Sequence, residues 1–408
     1  MIGHPSRNST RAVHASSLGF PSMSWPIPTL TPISYPKPLD LRVWLPGLVA
    51  LALGTAGAVL LLWPHGKSTQ GVQFWALLIG VPLVSCTLAL GIRLNRWERE
   101  QTIVEEAERE QRRIMSLWRA WSRRDVRVTA ALAVLPVPVP PAQLGVVGAD
   151  LPVNRGRAKG FAWSNGKAET WRRTKLLGLI ASGLHATLAA RQEMSVRLLL
   201  DEASMASVDA WKEDARNALG KIAPRCKFGI DAEPAVGCAP FLAQQVDLVG
   251  AAPQLVIAAQ MWPDGKTEHA FSEGAAALLV ERSDAHAGQV FRPMTSTTAT
   301  LDADLKQLVQ IQIAPDRITH AWLTGCTDES AGITSSLTSD PKTPLIERPF
   351  DDIVGEPGPA SSWIALATAL EALETGGPQL IAWREKDSEP LHLCMVGPAQ
   401  PDASQKEL

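Results

Sequence analysis

Two uncharged runs dominate the first quarter of the chain, Val43–Pro64 (VWLPGLVALALGTAGAVLLLWP) and Gly71–Ile92 (GVQFWALLIGVPLVSCTLALGI). Each is long enough to cross a hydrocarbon core about 30 Å thick as a helix. Neither shows the polar stripe that a helix on the surface of a soluble core carries. Trp44, Trp63 and Trp75 stand near the ends, where indoles favour the headgroup zone. The connector HGKSTQ is short, so residues 41–93 are expected to form a transmembrane hairpin. Residues 94–127 then turn densely charged. Acids and bases recur at four-residue spacing, which predicts a solvated helix continuing from the second span. Ile103, Val104, Ile114 and Leu117 keep no heptad, so this segment is expected to be a stalk and not a coiled coil.

From Val128 onward the pattern becomes short apolar runs separated by amphipathic segments. VTAALAVLP, VRLLLDE, QLVIAAQMW, GAAALLVERS, ITHAWLTGC, PQLIAWRE and LHLCMVGP have the length and composition of strands. RRTKLLGLIASGLHATLAARQ, SVDAWKEDARNALGKIA, APFLAQQVDLV, DADLKQLVQIQIA and SSWIALATALEALETG read as helices, with KFGIDAEP a strand or a loop. Alternating strands and helices predict a layered α/β domain with a largely parallel sheet, closed by a hairpin of the last two strands.

Charge sets the expected orientation. Arg7, Arg11, Lys37 and Arg42 precede the hairpin and Arg93, Arg96 and Arg99 follow it, whereas the connector holds only Lys67. The positive-inside rule therefore places both termini in the cytoplasm of a bacterial inner membrane. The basic end of the stalk, Arg112 to Arg127, is expected to reach anionic lipid. Residues 1–40 are rich in Ser and Pro and are expected to be disordered, as are residues 399–408; translation from Met23 would shorten the first tail. A net charge of -2 gives no basic field for nucleic acid. The five cysteines form no C-x-x-C pair, which argues against a zinc site and for a reducing compartment. No phosphate-cradling glycine motif occurs, so neither a cofactor nor a metal is expected.

Three segments, in order, resemble the thiolase-like superfamily and in particular its β-ketoacyl synthases. FSEGAAALLVER is similar to the family's G-E-G-A-x-A-L-V-L-E strand, with Ser272 in place of the first glycine and Glu273 and Gly274 retained. IAPDRITHAWLTGCTD resembles the stretch that carries the family's first catalytic histidine. FDDIVGEPGPASSWIALATALEAL is similar to the segment that carries the second, with Gly325 and Gly355 as the matching glycines. The resemblance covers about Val196 to Pro398. It implies two related α/β halves, taken as residues 128–290 and 291–398, and allows a homodimer paired across an edge strand.

The family's chemistry does not carry over. Thr324 stands at the first histidine's position and Glu356 at the second's. Threonine has no imidazole proton to give, and an ionised glutamate repels the enolate that must be stabilised. Cys238, ahead of a helix, is the remaining candidate nucleophile, although Pro240 and a shortened gap to the next strand depart from the family pattern. Cys326 is expected to be a buried thiol. Asp351 and Asp352 are assigned to the loop before the helix near Ala360. The eight histidines are dispersed; His269, beside Glu268 and Glu273, fits a surface turn. The expectation is a pseudoenzyme domain that binds a protein. The two-span hairpin, the W-x-x-W stalk and the α/β domain together also resemble uncharacterised proteins encoded beside type VI secretion spike and effector genes. That resemblance implies an effector adaptor or loader as the partner-binding role. Two alternatives remain, an immunity-type toxin-binding protein and an acyl-thioester enzyme using Cys238.

Overall fold

A computed structural model describes residues 25–398, apart from residues 29, 39, 65–66, 249–251, 266–267, 282, 284–286, 314–316, 339–344 and 376. Met23, His4, His14, His65, His286 and the tail 399–408 lie outside the described residues. The chain divides into two compact units, residues 27–118 and residues 1–26 with 119–408.

The first unit contains α1 (Leu41–Leu62) and most of α2 (Val72–Ser122, 51 residues). Both are long and apolar enough to cross a membrane, with hydropathy 2.1 and none of the apolar window buried in the protein. Leu61 and Val72 are more than four-fifths exposed, at 84% and 85%, as side chains that meet lipid would be. The Asp40 side chain accepts from the Arg42 amide at 3.0 Å and caps α1. The two helices touch where Cys86 Sγ meets the Leu48 carbonyl at 3.4 Å and where Trp63 packs edge-on against Phe74. Beyond the apolar stretch, α2 runs on without a break through the charged residues. Gln111 Nε2 donates to the Thr31 carbonyl at 2.9 Å and Tyr35 reaches Glu108, so the segment before α1 lies along this helix.

The second unit is an α/β domain with one mixed sheet of 11 strands. Its first half reads β1 (Asp125–Val134), α3 (Glu169–Gly183), β2 (Glu193–Leu200), α4 (Val208–Ile222), β3 (Lys227–Pro234), α5 (Cys238–Asp247), β4 (Gln254–Gln260) and β5 (Gly274–Val280). The second reads β6 (Gly288–Phe291), β7 (Met294–Ser296), α6 (Leu301–Ile311), β8 (His320–Thr324), α7 (Ser330–Leu337), β9 (Ile346–Pro349), α8 (Ser361–Glu371), β10 (Gln379–Arg384) and β11 (Leu391–Pro398). The strand order is β3-β2-β4-β5-β1-β6-β11-β10-β8-β9, with β7 on β11. With β7 set aside and the strands numbered within each half, both halves run 3-2-4-5-1 from their outer edge, and in both the fifth strand is antiparallel to its neighbours. The domain is thus two related α/β halves meeting at the antiparallel β1–β6 pair.

Strand alternation builds the layers, because successive side chains point to opposite faces. Leu255, Ile257, Ala275, Ala277 and Leu279 pack with Leu176 and Ile180 of α3 and Trp211 and Leu219 of α4. Val256, Ala258, Ala276 and Leu278 face the other way. They join α5, α8 and Ile381, Trp383, Cys394 and Val396 of β10 and β11 in one core shared by both halves. Ser361 through Leu370 are all buried, as expected for a helix covered on every side.

Five expectations need correction. The sheet is mixed: four of its ten strand pairings are parallel, because each half's fifth strand runs against its neighbours. β6 belongs to the second half, so that half begins ahead of residue 291. The stalk helix ends at Ser122 and β1 starts at Asp125, before the expected 128. Two residues at the basic end of the stalk are used by the protein itself. Arg123 Nε donates to the last carbonyls of α6, Ile311 and Gln312, at 3.1 and 3.2 Å, and Arg124 pairs with Asp247 at 3.4 Å. The disorder expected over residues 1–40 also fails at Trp25, which is 3% exposed. Its indole donates to the Pro293 carbonyl at 3.2 Å and packs edge-on against Trp121, whose ring faces the Arg292 guanidinium.

Candidate functional site

The strands of the second half and the two central helices end in one region, where the candidate residues gather. α5 begins there with Gly237 as its N-cap and Cys238 as its first residue. β8 ends there with Thr324, and the turn that follows is Gly325-Cys326. The loop Gly355-Glu356-Pro357 leads toward α8. Gly325 (φ 65°) and Gly355 (φ 98°) both adopt left-handed backbone. A Cβ on Gly325 would lie 2.4 Å from the Arg384 carbonyl, and one on Gly355 2.2 Å from the Arg157 carbonyl, so neither turn admits a side chain.

Cys238 is buried in the shared core beside Cys394, and its thiol is held well above the ordinary range. Desolvation is the main cause; Cys394 and Glu385 raise it further, and only the Ser362 hydroxyl opposes. No imidazole is among these influences. The Glu385 carboxylate takes the positive end of α5, accepting from the Gly237 amide at 2.8 Å. An uncharged, desolvated thiol is a poor nucleophile.

Thr324 Oγ1 donates to Asp351 Oδ1 at 2.5 Å, and the Gly325 amide donates to Asp351 Oδ2 at 2.6 Å. Asp351 therefore lies in its own short helix, Phe350–Val354, and fixes the end of β8; it is not in the loop before α8. Burial pushes its carboxyl up to about 6 despite these two donors. Cys326 is buried with its Sγ toward the Ala382 carbonyl, and desolvation pushes its thiol up to about 12. Asp351 and Glu356 share a cavity of about 440 Å³ with Asp328, Glu329, Asp352, Arg155 and Arg384. Within it Arg384 pairs with Glu329 at 2.5 Å and Arg155 with Asp352 at 3.4 Å. Asp328, Glu329, Asp351, Asp352 and Glu356 thus make the charged wall of this cavity chiefly acidic.

The strand motif serves as a clamp. Glu273 is fully buried and accepts from Arg172 Nη1 at 2.6 Å, the Phe161 amide at 2.9 Å, Ser164 Oγ at 3.0 Å and the Trp262 amide at 3.1 Å. Ser272 ties this strand to the loop below: its amide donates to the Glu356 carbonyl at 2.8 Å and its Oγ accepts from the Lys159 amide at 3.0 Å. Gly274 opens β5 with Ile364 of α8 packed where a side chain would stand. Thr324, Glu356, Gly325 and Gly355 come together around Asp351, Cys238 sits close by at the α5 terminus, and Glu273 belongs to the separate Arg172 network.

Three of the described histidines have partners of their own. His269 stacks flat on Trp262 with ring centroids 3.6 Å apart. His320 Nε2 lies 2.7 Å from the Gly145 carbonyl, and His392 tilts against Trp383 on the neighbouring strand. Among the described residues no group of three or more His, Cys, Asp or Glu could hold a metal ion. Sequence reading missed the Asp351–Thr324 contact and the role of Glu385. The Asp-Asp pair before Ile353 was a signal for the first; Glu385, at the end of a strand, offered none.

No protein-family model matches the chain, and no curated protein matches it. Solved structures do. The tetronic acid condensing enzyme AbyA1 is 13% identical, with a TM-score of 0.44 over 67% of this chain and 100% of its own. Cerulenin-bound OleA of Xanthomonas campestris is 13% identical, with a TM-score of 0.40 over 69% and 98%. The 3-oxoacyl-[acyl-carrier-protein] synthase III from Aquifex aeolicus is 13% identical, with a TM-score of 0.39 over 67% and 99%. The two-half architecture of this chain rests on its own repeated strand order.

Proposed function

We propose that the chain is a membrane-anchored, non-condensing member of the ketosynthase-like folds, acting by binding a protein partner. The observation that carries this reading is the state of the candidate centre. The Cys238 thiol is desolvated, and the positions expected to hold imidazoles hold Thr324, bonded to Asp351, and Glu356, in a carboxylate-lined cavity. Condensation needs a thiolate and donors aimed at a developing oxyanion, and none of these groups supplies either. A rigid scaffold with two apolar helices is suited to presenting a surface at a bilayer.

The hairpin is read as spanning a bacterial inner membrane with both termini in the cytoplasm. Within that class, an adaptor or loader for a type VI secretion effector is the reading the sequence favours. The test is co-purification of the detergent-solubilised chain with the products of its neighbouring genes. A stoichiometric complex that also contacts a secretion component and is needed for export supports the adaptor. A one-to-one complex with a toxin that only rescues growth would replace it with the immunity role.

A further inference from the structure

We infer that the groove between α1 and α2 seats one anionic phospholipid, its acyl chain between the helices and its phosphate at Lys67. The groove has a volume of about 750 Å³. On α1 it is walled by Thr55, Ala58, Val59 and Leu62, and on α2 by Gln73, Ala76, Leu77 and Val81. Each set follows helical spacing, so each is one face of its helix. Ala58 and Ala76 are the smallest residues of the two faces and leave room between them. The Thr55 hydroxyl donates back to the Leu51 carbonyl at 2.8 Å, which leaves the wall apolar until Lys67 and Gln73 at the connector end. A cavity of about 150 Å³ holds a benzene-sized molecule, so this groove has room for an acyl chain.

Charge decides between the two things that could fill it, a lipid and another helix. Lys67 lines the groove and is exposed. From residue 41 to residue 97 the chain holds no Asp or Glu, so the hairpin gives Lys67 no counter-ion. A second copy of the hairpin would bring none either. A phospholipid brings both parts, an apolar chain for the groove and a phosphate for the ammonium group. Beside the groove lies a cavity of about 370 Å³ that shares Trp63, Lys67 and Gln73 with it and adds Ser68. A headgroup there meets three donor side chains, those of Lys67, Ser68 and Gln73. Trp63 fixes this end. Its indole donates to the Lys67 carbonyl at 3.3 Å, and its ring packs edge-on against Phe74. Indoles favour the depth at which hydrocarbon gives way to headgroups.

The inference rests on the reading of the hairpin as membrane-spanning and is independent of the protein partner. The test reads adducts in native mass spectra of the full chain, purified in detergent. The probes are palmitoyl-oleoyl phosphatidylglycerol, the matching phosphatidylcholine, and glycerol phosphate. One phosphatidylglycerol per chain is expected, held about fivefold tighter than phosphatidylcholine, with no glycerol phosphate adduct. Lys67→Gln, at an exposed position, should lower phosphatidylglycerol to the level of phosphatidylcholine. Ala58→Trp fills the groove and should remove both lipids, whereas Leu61→Trp, at an exposed position outside the groove, should keep both. Equal binding of the two lipids, an unaltered preference in Lys67→Gln, or unaltered binding in Ala58→Trp would each overturn the proposal. So would a dimer that Ala58→Trp dissolves, which would put a second copy in the groove. Carbonate washing of the cell membranes checks the spanning reading by itself. A chain that stays in the pellet and shows no phosphatidylglycerol preference defeats this proposal alone, and a chain released by the wash overturns both.

Discussion

Glu273→Ala tests what holds the first half of the domain together. The carboxylate is fully buried and accepts four donors, one of them the guanidinium of Arg172, whose side chain is 6% exposed. Removing it leaves a buried positive charge whose other ionic partner is Asp264, half exposed at 3.0 Å. Breaking a buried pair in this way costs about 3–5 kcal/mol. The Phe161 and Trp262 amides lose their acceptor, adding about 1 kcal/mol or more each where water does not reach them. A total of about 5–7 kcal/mol is comparable to the whole stability of many domains. At about 2–4 °C per kcal/mol, the unfolding temperature should fall by 10 °C or more. Glu273→Gln keeps an acceptor and should lose less, whereas Arg172→Met with Glu273→Leu should recover most of the loss. The assay is tryptophan-fluorescence thermal unfolding of the detergent-purified chain. An unfolding temperature for Glu273→Ala within about 2 °C of the parent would refute the clamp.

Other outcomes follow from the same geometry. Iodoacetamide at pH 8 should leave Cys238, Cys326 and Cys394 unlabelled in the native protein and label them after denaturation, read by peptide mass; rapid native labelling of Cys238 would contradict its burial. Glu371 accepts from the Ala133 amide, and burial pushes its carboxyl up to about 7 from 4.5. The folded state therefore holds this proton more tightly than the unfolded chain, so its contribution to stability is lost as pH rises from about 4.5 to about 7. His320 and His392, depressed by burial, act in the opposite sense as pH falls below 6.5, so the readout is a difference. Glu371→Gln should match the parent near pH 4.5 and exceed its stability at pH 8, and a constant difference would refute the assignment. Trp25→Ala should destabilise the domain by about 3–5 kcal/mol, whereas a chain starting at Met23 keeps the anchor and should unfold like the full chain.

The apolar periodicity carried most of the fold. α4, α8 and the paired strands β10 and β11 fall where the patterns place them, because long buried runs leave little choice of period. The short strands β6, β7 and β9 did not stand out. They hold three or four residues each, and Pro349 and the polar Glu347 and Arg348 break the apolar signal of β9. The tail was misread at Trp25 because composition cannot tell a solvated Trp from one that seats against Trp121 and Pro293. At the candidate site Thr324 and Glu356 were visible as residue types. The Asp351 link between β8 and the short helix before Gly355 was not, because it joins residues 27 apart through the fold.

The proposal that the domain has no thioester chemistry is tested most directly by the intact mass of the full chain. The detergent-purified protein would be incubated with acetyl-CoA and malonyl-CoA and compared with Cys238→Ala. The account predicts an unmodified mass and no release of carbon dioxide. An acetyl adduct that disappears in Cys238→Ala, or steady decarboxylation of malonyl-CoA, would contradict it.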